Sequence, residues 1–364
     1  MESFRRKSHF FDETKILFVL LFFILSISIL GQVIAFEGFG LAVQKHIIKI
    51  VFGVIIILLI PLVDLRIWSS FAYPFYLIIF VCLVIVGILG VIKLGAQRWI
   101  DLHFFAFQPS EFMKLALIVT LSKYYSELST FELKSLRYHI LPGILIFAPV
   151  ALILKQPDLG SAMILFAVGV GMIFLVGFPM KAFCFFIGSG VAMCPLGWYF
   201  LHDYQKNRIL NFLDPDRDPL GTGYHILQSK IAIGSGYIWG KGIFQGDQGR
   251  LNFLPEKHTD FIFTTISEEL GFVGAAIIIS LFILLICYFF WVGSINKNRF
   301  AKNLSFGLGL LLFTHMFVNI GMVLGILPVV GIPLPFLSYG GSSMFTFMIS
   351  CGLIISALAQ SKNK

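Results

Sequence analysis

Apolar stretches of about twenty residues recur along this chain, and nothing else in it limits the possible folds so tightly. They lie near residues 15–36, 46–65, 72–92, 109–127, 138–154, 160–177, 182–200, 262–290, 303–327 and 339–359. A helix of that length crosses the hydrocarbon core of a bilayer, whereas a membrane strand is about half as long and alternates apolar with polar residues. These runs do not alternate, so a barrel is excluded. A soluble globular domain is excluded too, because 58% of the 364 residues are hydrophobic and only 13% are charged, against about one half and one quarter in soluble domains. The expectation is an all-α integral membrane protein of about ten transmembrane helices, forming a single polytopic domain over residues 1–364.

The first run follows Arg5-Arg6-Lys7 but is longer than the core of a secretion signal and precedes further spans, so it reads as a retained signal anchor. An even number of spans puts both ends on one side. With N- and C-termini cytoplasmic, Arg66, Lys123, Lys134, Arg137, Lys181, Lys297, Arg299 and Lys302 fall on inner connections, and the short outer ones hold only Lys45, Lys49, Lys93, Arg98 and Lys155. That asymmetry follows the rule that short cytoplasmic loops are rich in Lys and Arg. It makes residues 201–261 a large extracytoplasmic loop before helix 8, exempt from the rule by its length. The net charge of +8 is spread over loops, which suits topology and anionic membrane lipid; no nucleic acid partner is implied. Cys82, Cys184, Cys194, Cys287 and Cys351 all lie in apolar runs with no metal-ligand spacing, and read as inert core residues.

The long loop gathers Tyr204, Lys206, Arg208, Asp214, Asp216, Lys230, Lys241 and Arg250 before re-entering the membrane at Leu254-Pro255-Glu256-Lys257-His258-Thr259-Asp260-Phe261-Ile262-Phe263. Asp260 stands where water gives way to lipid, a costly place for a carboxylate and hence a mark of function. Partial desolvation there tunes an acid toward general-base work; a helix-capping Asp is the plainer reading. The fourth, sixth, eighth and tenth runs begin on this same outer side, each with a polar motif. These are Gln108-Pro109-Ser110-Glu111, Gln156-Pro157-Asp158-Leu159-Gly160, His258-Thr259-Asp260 and Leu337-Ser338-Tyr339-Gly340-Gly341-Ser342-Ser343. Helix N-termini carry unpaired N–H groups and partial positive charge, and so suit phosphates. Each motif alone is ordinary capping grammar; four on one side point to a shared site.

Arg98 and Trp99 sit in the outer connection before the fourth run, and Lys114 shares a helix face with Glu111. These cations suit a pyrophosphate cradle, although Glu111 and Lys114 equally suit mutual neutralisation. Glu268 and Glu269 read as polar packing inside the bundle, and His258 as an interfacial anchor or a proton shuttle. The segment Gly236-Tyr237-Ile238-Trp239-Gly240-Lys241-Gly242 approaches a phosphate loop but lacks its first Gly and its closing Ser or Thr, so nucleotide hydrolysis is unsupported. No metal constellation is visible.

Together these stretches resemble the SEDS family (shape, elongation, division and sporulation), the polytopic peptidoglycan glycosyltransferases. The resemblance runs over residues 94–343 and rests on Leu94-Gly95-Ala96-Gln97-Arg98-Trp99-Ile100, Phe107 to Lys114, Lys155 to Gly160, Gly331 to Ser342, and Gln228 to Gly236 leading to His258 through Phe263. Within the family, Gln228 to Gly236 and Gly240-Lys241-Gly242 resemble the elongation branch more than the division branch. The resemblance implies polymerisation of lipid II into glycan strands at the outer face of the bacterial cytoplasmic membrane, with undecaprenyl pyrophosphate as leaving group. It implies Asp260 as the essential carboxylate and extends the candidate substrate-binding set to Arg98, Trp99, Glu111, Lys114, Asp158, Lys230, Lys241, His258, Ser338 and Ser342. Implied partners are a class B penicillin-binding protein that supplies transpeptidation, other elongation-complex proteins and membrane lipid. No cofactor is implied beyond a divalent cation accompanying the pyrophosphate.

Hydrolysis of an ordinary glycoside takes two carboxylates, because the departing oxygen must be protonated. Pyrophosphate leaves as a stable anion if positive charge receives it, so a single base suffices. The expected mechanism has Asp260 deprotonating the acceptor 4-hydroxyl with inversion at the donor carbon, while Arg98, Lys114, Lys241 and helix N-termini hold the diphosphate. Intramembrane Glu111, Asp158 and Glu268 also suit a flippase for lipid-linked precursor, and a non-catalytic scaffold is a third reading.

Overall fold

Each of the ten apolar runs is helical. A computed structural model describes residues 2–362 apart from 94–95, 102–105, 201–202, 215–216, 219–221 and 248–255. The runs become α1 (Glu2–Ala35), α2 (Leu41–Leu59), α4 (Ala72–Leu89), α5 (Pro109–Glu127), α6 (Ile140–Lys155), α7 (Leu159–Leu175), α8 (Met180–Phe200), α11 (Ile262–Ile295), α12 (Arg299–Val323) and α13 (Ser342–Lys362). Between them lie α3 (Leu65–Ser70) and, inside the polar run, α9 (Asp203–Leu213) and α10 (Thr222–Ser235). Leu94, Gly95, Asp216, Arg250, Leu254 and Pro255, which the sequence singled out, lie outside the described residues.

Among the described residues, seven helices are long and apolar enough to cross a membrane. Helix α5 is not one of them, since it carries Glu111, Lys114, Lys123 and Glu127. It tolerates these charges because it is the axis of the bundle, buried from Pro109 to Ser122 except at Phe112 and packed against α4, α7 and α12. The cysteines depart from expectation: Cys351 is buried, but Cys184 and Cys287 are exposed and Cys82 is half-buried. Apolar residues on an outward helix face satisfy lipid as well as a core does, so hydropathy cannot place them.

The connection between α4 and α5 is a small antiparallel sheet, a feature the all-α expectation did not contain. Strands β1 (Val91–Lys93), β2 (Ala96–Asp101) and β3 (Ala106–Phe107) lie in that order. Val91 is in register with Trp99, and Ile100 faces Phe107 across the sheet, a pairing of a β-branched with an aromatic residue that strands favour. The sheet fixes Arg98 on β2 above the bundle.

Residues 236–242 of the polar run, just after α10, pack against an interruption in α11. Gly271 takes φ 68° and ψ −164° inside that helix, a conformation open essentially to Gly alone. A Cβ there would stand 2.2 Å from the Gly240 nitrogen. The backbone groups freed by the break bond to the inserted loop: Phe272 N–H donates to Tyr237 O (2.8 Å), Val273 N–H to Ile238 O (3.1 Å), Lys241 N–H to Glu268 O (3.1 Å) and Gly242 N–H to Glu269 O (3.1 Å). Irregular backbone at membrane depth survives only when satisfied in this way. Lys241 Nζ lies 2.8 Å from Glu268 Oε1 and 3.0 Å from Asp247 Oδ2, while Phe244 N–H donates to Glu269 Oε2 at 2.8 Å. Glu268 and Glu269 thus hold the loop in the break, in line with their reading as internal polar packing.

Candidate active site

Asp260 ends a tight turn from Glu256 to Phe261 just before α11. Thr259 and Phe261 N–H groups both donate to Glu256 O at 3.2 Å, and Thr259 Oγ1 donates to Glu256 Oε2 at 2.7 Å. Three other parts of the chain clamp this turn. Ser338 Oγ donates to Thr259 O (2.7 Å), Asn319 Nδ2 on α12 to Asp260 O (2.9 Å), and Gln32 Nε2 on α1 to His258 O (3.1 Å). Tyr339 N–H adds a bond to His258 O at 2.9 Å. The backbone is therefore fixed on every side, while the Asp260 carboxylate makes no hydrogen bond among the described residues and faces a cavity.

That cavity holds about 400 Å³, and its wall includes Arg98, Trp99, Asp158, Arg208, Glu256 and Asp260. The starts of four helices reach it, through Gln108 and Glu111 of α5, Asp158 and Ser161 of α7, Thr259 and Asp260 before α11, and Ser342 and Ser343 of α13. Two hydroxyl contacts join a pair of them: Ser342 Oγ accepts from Gln108 N–H (3.1 Å) and donates to Ala106 O (3.0 Å). Asp158 caps α7, with Oδ1 accepting from Ser161 N–H at 3.1 Å. Its Oδ2 stands 3.7 Å from Arg98 Nε, and Arg98 also donates to Pro157 O, so the guanidinium is aimed by the cap it neutralises. Opposite, Arg208 reaches Val330 O at 3.4 Å.

Burial and the neighbouring Glu256 push the Asp260 carboxyl up to about 7; Arg98 opposes that rise, Asp158 adds to it, and Arg208 opposes it again. The side chain is partly open to the cavity, yet the cavity is a recess walled by protein, which is why desolvation leads. Gly331 passes close beside it: a Cβ there would meet Asp260 Oδ2 at 3.3 Å, and φ is +70°.

The floor is a buried polar trio. Lys114, 1% exposed, donates to Glu111 Oε1 at 2.7 Å and meets His315 Nε2 at 2.8 Å. His315 Nδ1 lies 3.4 Å from Pro333 O, so the ring fits the neutral tautomer with its proton on Nδ1. The mutual-neutralisation reading of Glu111 and Lys114 is thus realised in the geometry, and two of the three ammonium hydrogens are committed. Glu111 Oε2 and Arg98 Nε are buried and hydrogen-bond to nothing among the described residues. Buried polar atoms are rarely left so, and both sit on the wall of one cavity.

Of the residues the sequence singled out, Arg98, Trp99, Glu111, Lys114, Asp158, Asp260 and Ser342 line this cavity. Ser338 acts one step behind it, through the Thr259 carbonyl. His258 stands outside, its ring 5.0 Å from Phe36 and 6.0 Å from Tyr339, and burial lowers its basicity. Lys241 is committed to Glu268 and Asp247 in the break of α11, where those anions outweigh desolvation and raise its basicity. Lys230 is exposed on α10 and packs beside Gly325. Sequence reasoning did not single out Gln32, Asn319 or His315, and it quoted Tyr339 only within the motif at the start of the tenth run. The first three are polar residues inside apolar runs, and that alone could have found them. Among the described residues no group of three or more His, Cys, Asp or Glu is placed to hold a metal ion.

The FtsW/RodA/SpoVE family, described as cell cycle proteins, matches residues 10–363. The peptidoglycan glycosyltransferase MrdB of Escherichia coli is 39% identical over 355 residues, covering 96% of this chain and 95% of the relative. Among solved structures, a chain from a peptidoglycan synthase complex that coordinates polymerization and crosslinking superposes with a TM-score of 0.81 at 28% identity, covering 94% of this chain and 98% of that one. The rod shape determining protein RodA of Thermus thermophilus superposes with a TM-score of 0.70 at 24% identity, covering 94% and 95%, a likeness of fold. The matched span and the shared identity place this chain in the SEDS family, the FtsW/RodA/SpoVE group.

Proposed function

We propose that this chain is a peptidoglycan glycosyltransferase that polymerises lipid II, with Asp260 as the general base for an inverting transfer. The observation that carries the proposal is a carboxylate with no hydrogen-bond partner among the described residues, poised near pH 7 in a recess that also holds Arg98, Arg208 and four helix N-termini. A base half-ionised near neutrality both accepts a proton from a sugar hydroxyl and returns it readily. The two guanidiniums and the N–H groups supply fixed positive charge where a departing diphosphate gains negative charge. Lys114 contributes from the floor, and Lys241 acts at a distance by holding the loop in the break of α11.

The ten apolar runs support ten crossings and the Lys and Arg asymmetry supports cytoplasmic ends, an orientation in which the cavity opens at the extracytoplasmic face of the bacterial cytoplasmic membrane. The likeness to a chain of a polymerization and crosslinking complex supports a class B penicillin-binding protein as partner. The test is purified protein with lipid II in detergent, alone and with that partner. Long glycan from the wild type and none from a folded Asp260→Asn variant is the expected result. A flippase has no bilayer to cross there and yields no polymer, and a scaffold tolerates the substitution.

A further inference from the structure

A polymerase of this kind handles two lipid-linked diphosphates at once, one leaving and one remaining on its lipid. The cations around Asp260 suffice for the first. On α2, one turn apart, stand Lys45, which is exposed, and Lys49, which is half-buried within an apolar helix. Lys49 Nζ lies 3.9 Å from the centre of the Tyr339 ring, and Tyr339 also lines the Asp260 cavity. Cation–π contact offsets only part of the cost of placing an ammonium in a membrane helix. Among the described residues neither ammonium has a carboxylate within ion-pair distance. The nearest acidic residue in sequence, Glu37, is paired with Lys257 at 2.8 Å.

Below these two residues an apolar groove of about 850 Å³ runs between α1 and α2, lined by Ile29, Ile50, Val54, Ile57 and Phe18. It begins one residue past Lys49. Two unneutralised ammoniums above an apolar channel match a lipid with an anionic head and a long hydrocarbon tail, and Tyr339 links that position to the base. We infer that Lys45 and Lys49 bind the diphosphate of the second lipid-linked substrate, the one not discharged in the transfer, with its tail in the α1–α2 groove. The inference rests on the proposed glycosyltransferase reading and adds a second substrate subsite to it.

A diphosphate that is not discharged carries the same charge before and during the reaction. Its site therefore binds ground state and transition state alike, and its loss raises KM without lowering kcat. The experiment is a lipid II titration with the K45Q/K49Q double variant and its class B partner in vesicles of pure phosphatidylcholine, repeated with added phosphatidylglycerol. The expected result is a KM for lipid II raised about tenfold in both vesicle types, kcat within about twofold, and recovery in a K45R/K49R variant. If the double variant does not purify, K45Q, altering only the exposed residue, carries the same test with a smaller rise in KM. A rise seen only with phosphatidylglycerol would assign the ammoniums to ordinary anionic lipid and overturn the inference. So would an unchanged KM with an active wild type, which leaves the glycosyltransferase reading standing. No polymer from the wild type would remove that reading, and this one with it.

Discussion

One side-chain amide holds both the backbone of the proposed base and the loop opposite it: Asn319 Nδ2 donates to Asp260 O at 2.9 Å and to Ile332 O at 2.7 Å. Asn319 does not line the cavity, so its influence on chemistry runs through the position of Asp260. Misplacing a reacting group by about 1 Å costs on the order of a hundredfold in rate. Asn319→Ala is expected to lower kcat by roughly that factor and leave KM for lipid II nearly unchanged. A steady-state titration that instead shows a raised KM at normal kcat would assign Asn319 to substrate binding.

The pH dependence has a definite sign. Asp260 must be ionised to accept a proton, and its carboxyl is pushed up to about 7, so polymer synthesis should climb through that pH and level off above it. Stability runs the other way. A carboxyl whose folded value exceeds its unfolded one favours the fold at low pH, and that advantage is lost as pH rises through the folded value. Asp260→Asn removes the ionisation, so its melting temperature should exceed that of the wild type by much more at pH 8 than at pH 5, the two converging only below about pH 4, under the ordinary carboxyl value. Thermal unfolding in detergent at the two pH values measures this, and an equal gain at both would disconnect the titration from Asp260.

Lys241 and Glu268 make a different kind of prediction. Glu268 is 1% exposed, and removing its cation leaves a buried charge, which destabilises by about 3–5 kcal/mol; partial exposure of Lys241 puts the loss at the low end. Lys241→Met should lower the melting temperature, and adding Glu268→Gln should restore much of it. Activity should return with stability in that double variant, whereas a direct role in holding diphosphate predicts that it recovers stability but remains defective in kcat.

How much of this was legible in the sequence depended on the length of the signal. The helices of all ten apolar runs were visible because each is a long, mainly apolar stretch, α5 included despite its charges. The convergence of four helix N-termini was legible as well, since capping motifs recur at local positions and topology puts them on one side. What failed to show was anything set by contact between distant segments. Lys241 has the composition of a phosphate ligand, but only the folded chain reveals that Gly271 opens α11 to admit its loop. Lys230 was grouped with it for the same reason. Lys45 and Lys49 read as topology markers until Tyr339 was found against the second of them.

Gly331 offers a test of the cavity itself. Its φ of +70° strains any residue with a Cβ, by about 1–2 kcal/mol, and the added methyl in Gly331→Ala would stand 3.3 Å from Asp260 Oδ2. Gly177 separates the two effects: its φ is +107°, equally unsuited to a side chain, yet a Cβ there meets nothing within 4 Å. Gly177→Ala should therefore lose only stability, with kcat and its pH profile as in the wild type. Gly331→Ala should lose comparable stability and, in addition, most of its activity. The methyl takes the space of the hydroxyl that Asp260 must reach, and it shields the carboxylate from water, which moves the rising limb of the pH profile upward. Measuring both variants across pH decides the matter: a Gly331→Ala profile that overlays the Gly177→Ala profile would mean that the acceptor does not approach Asp260 from this side.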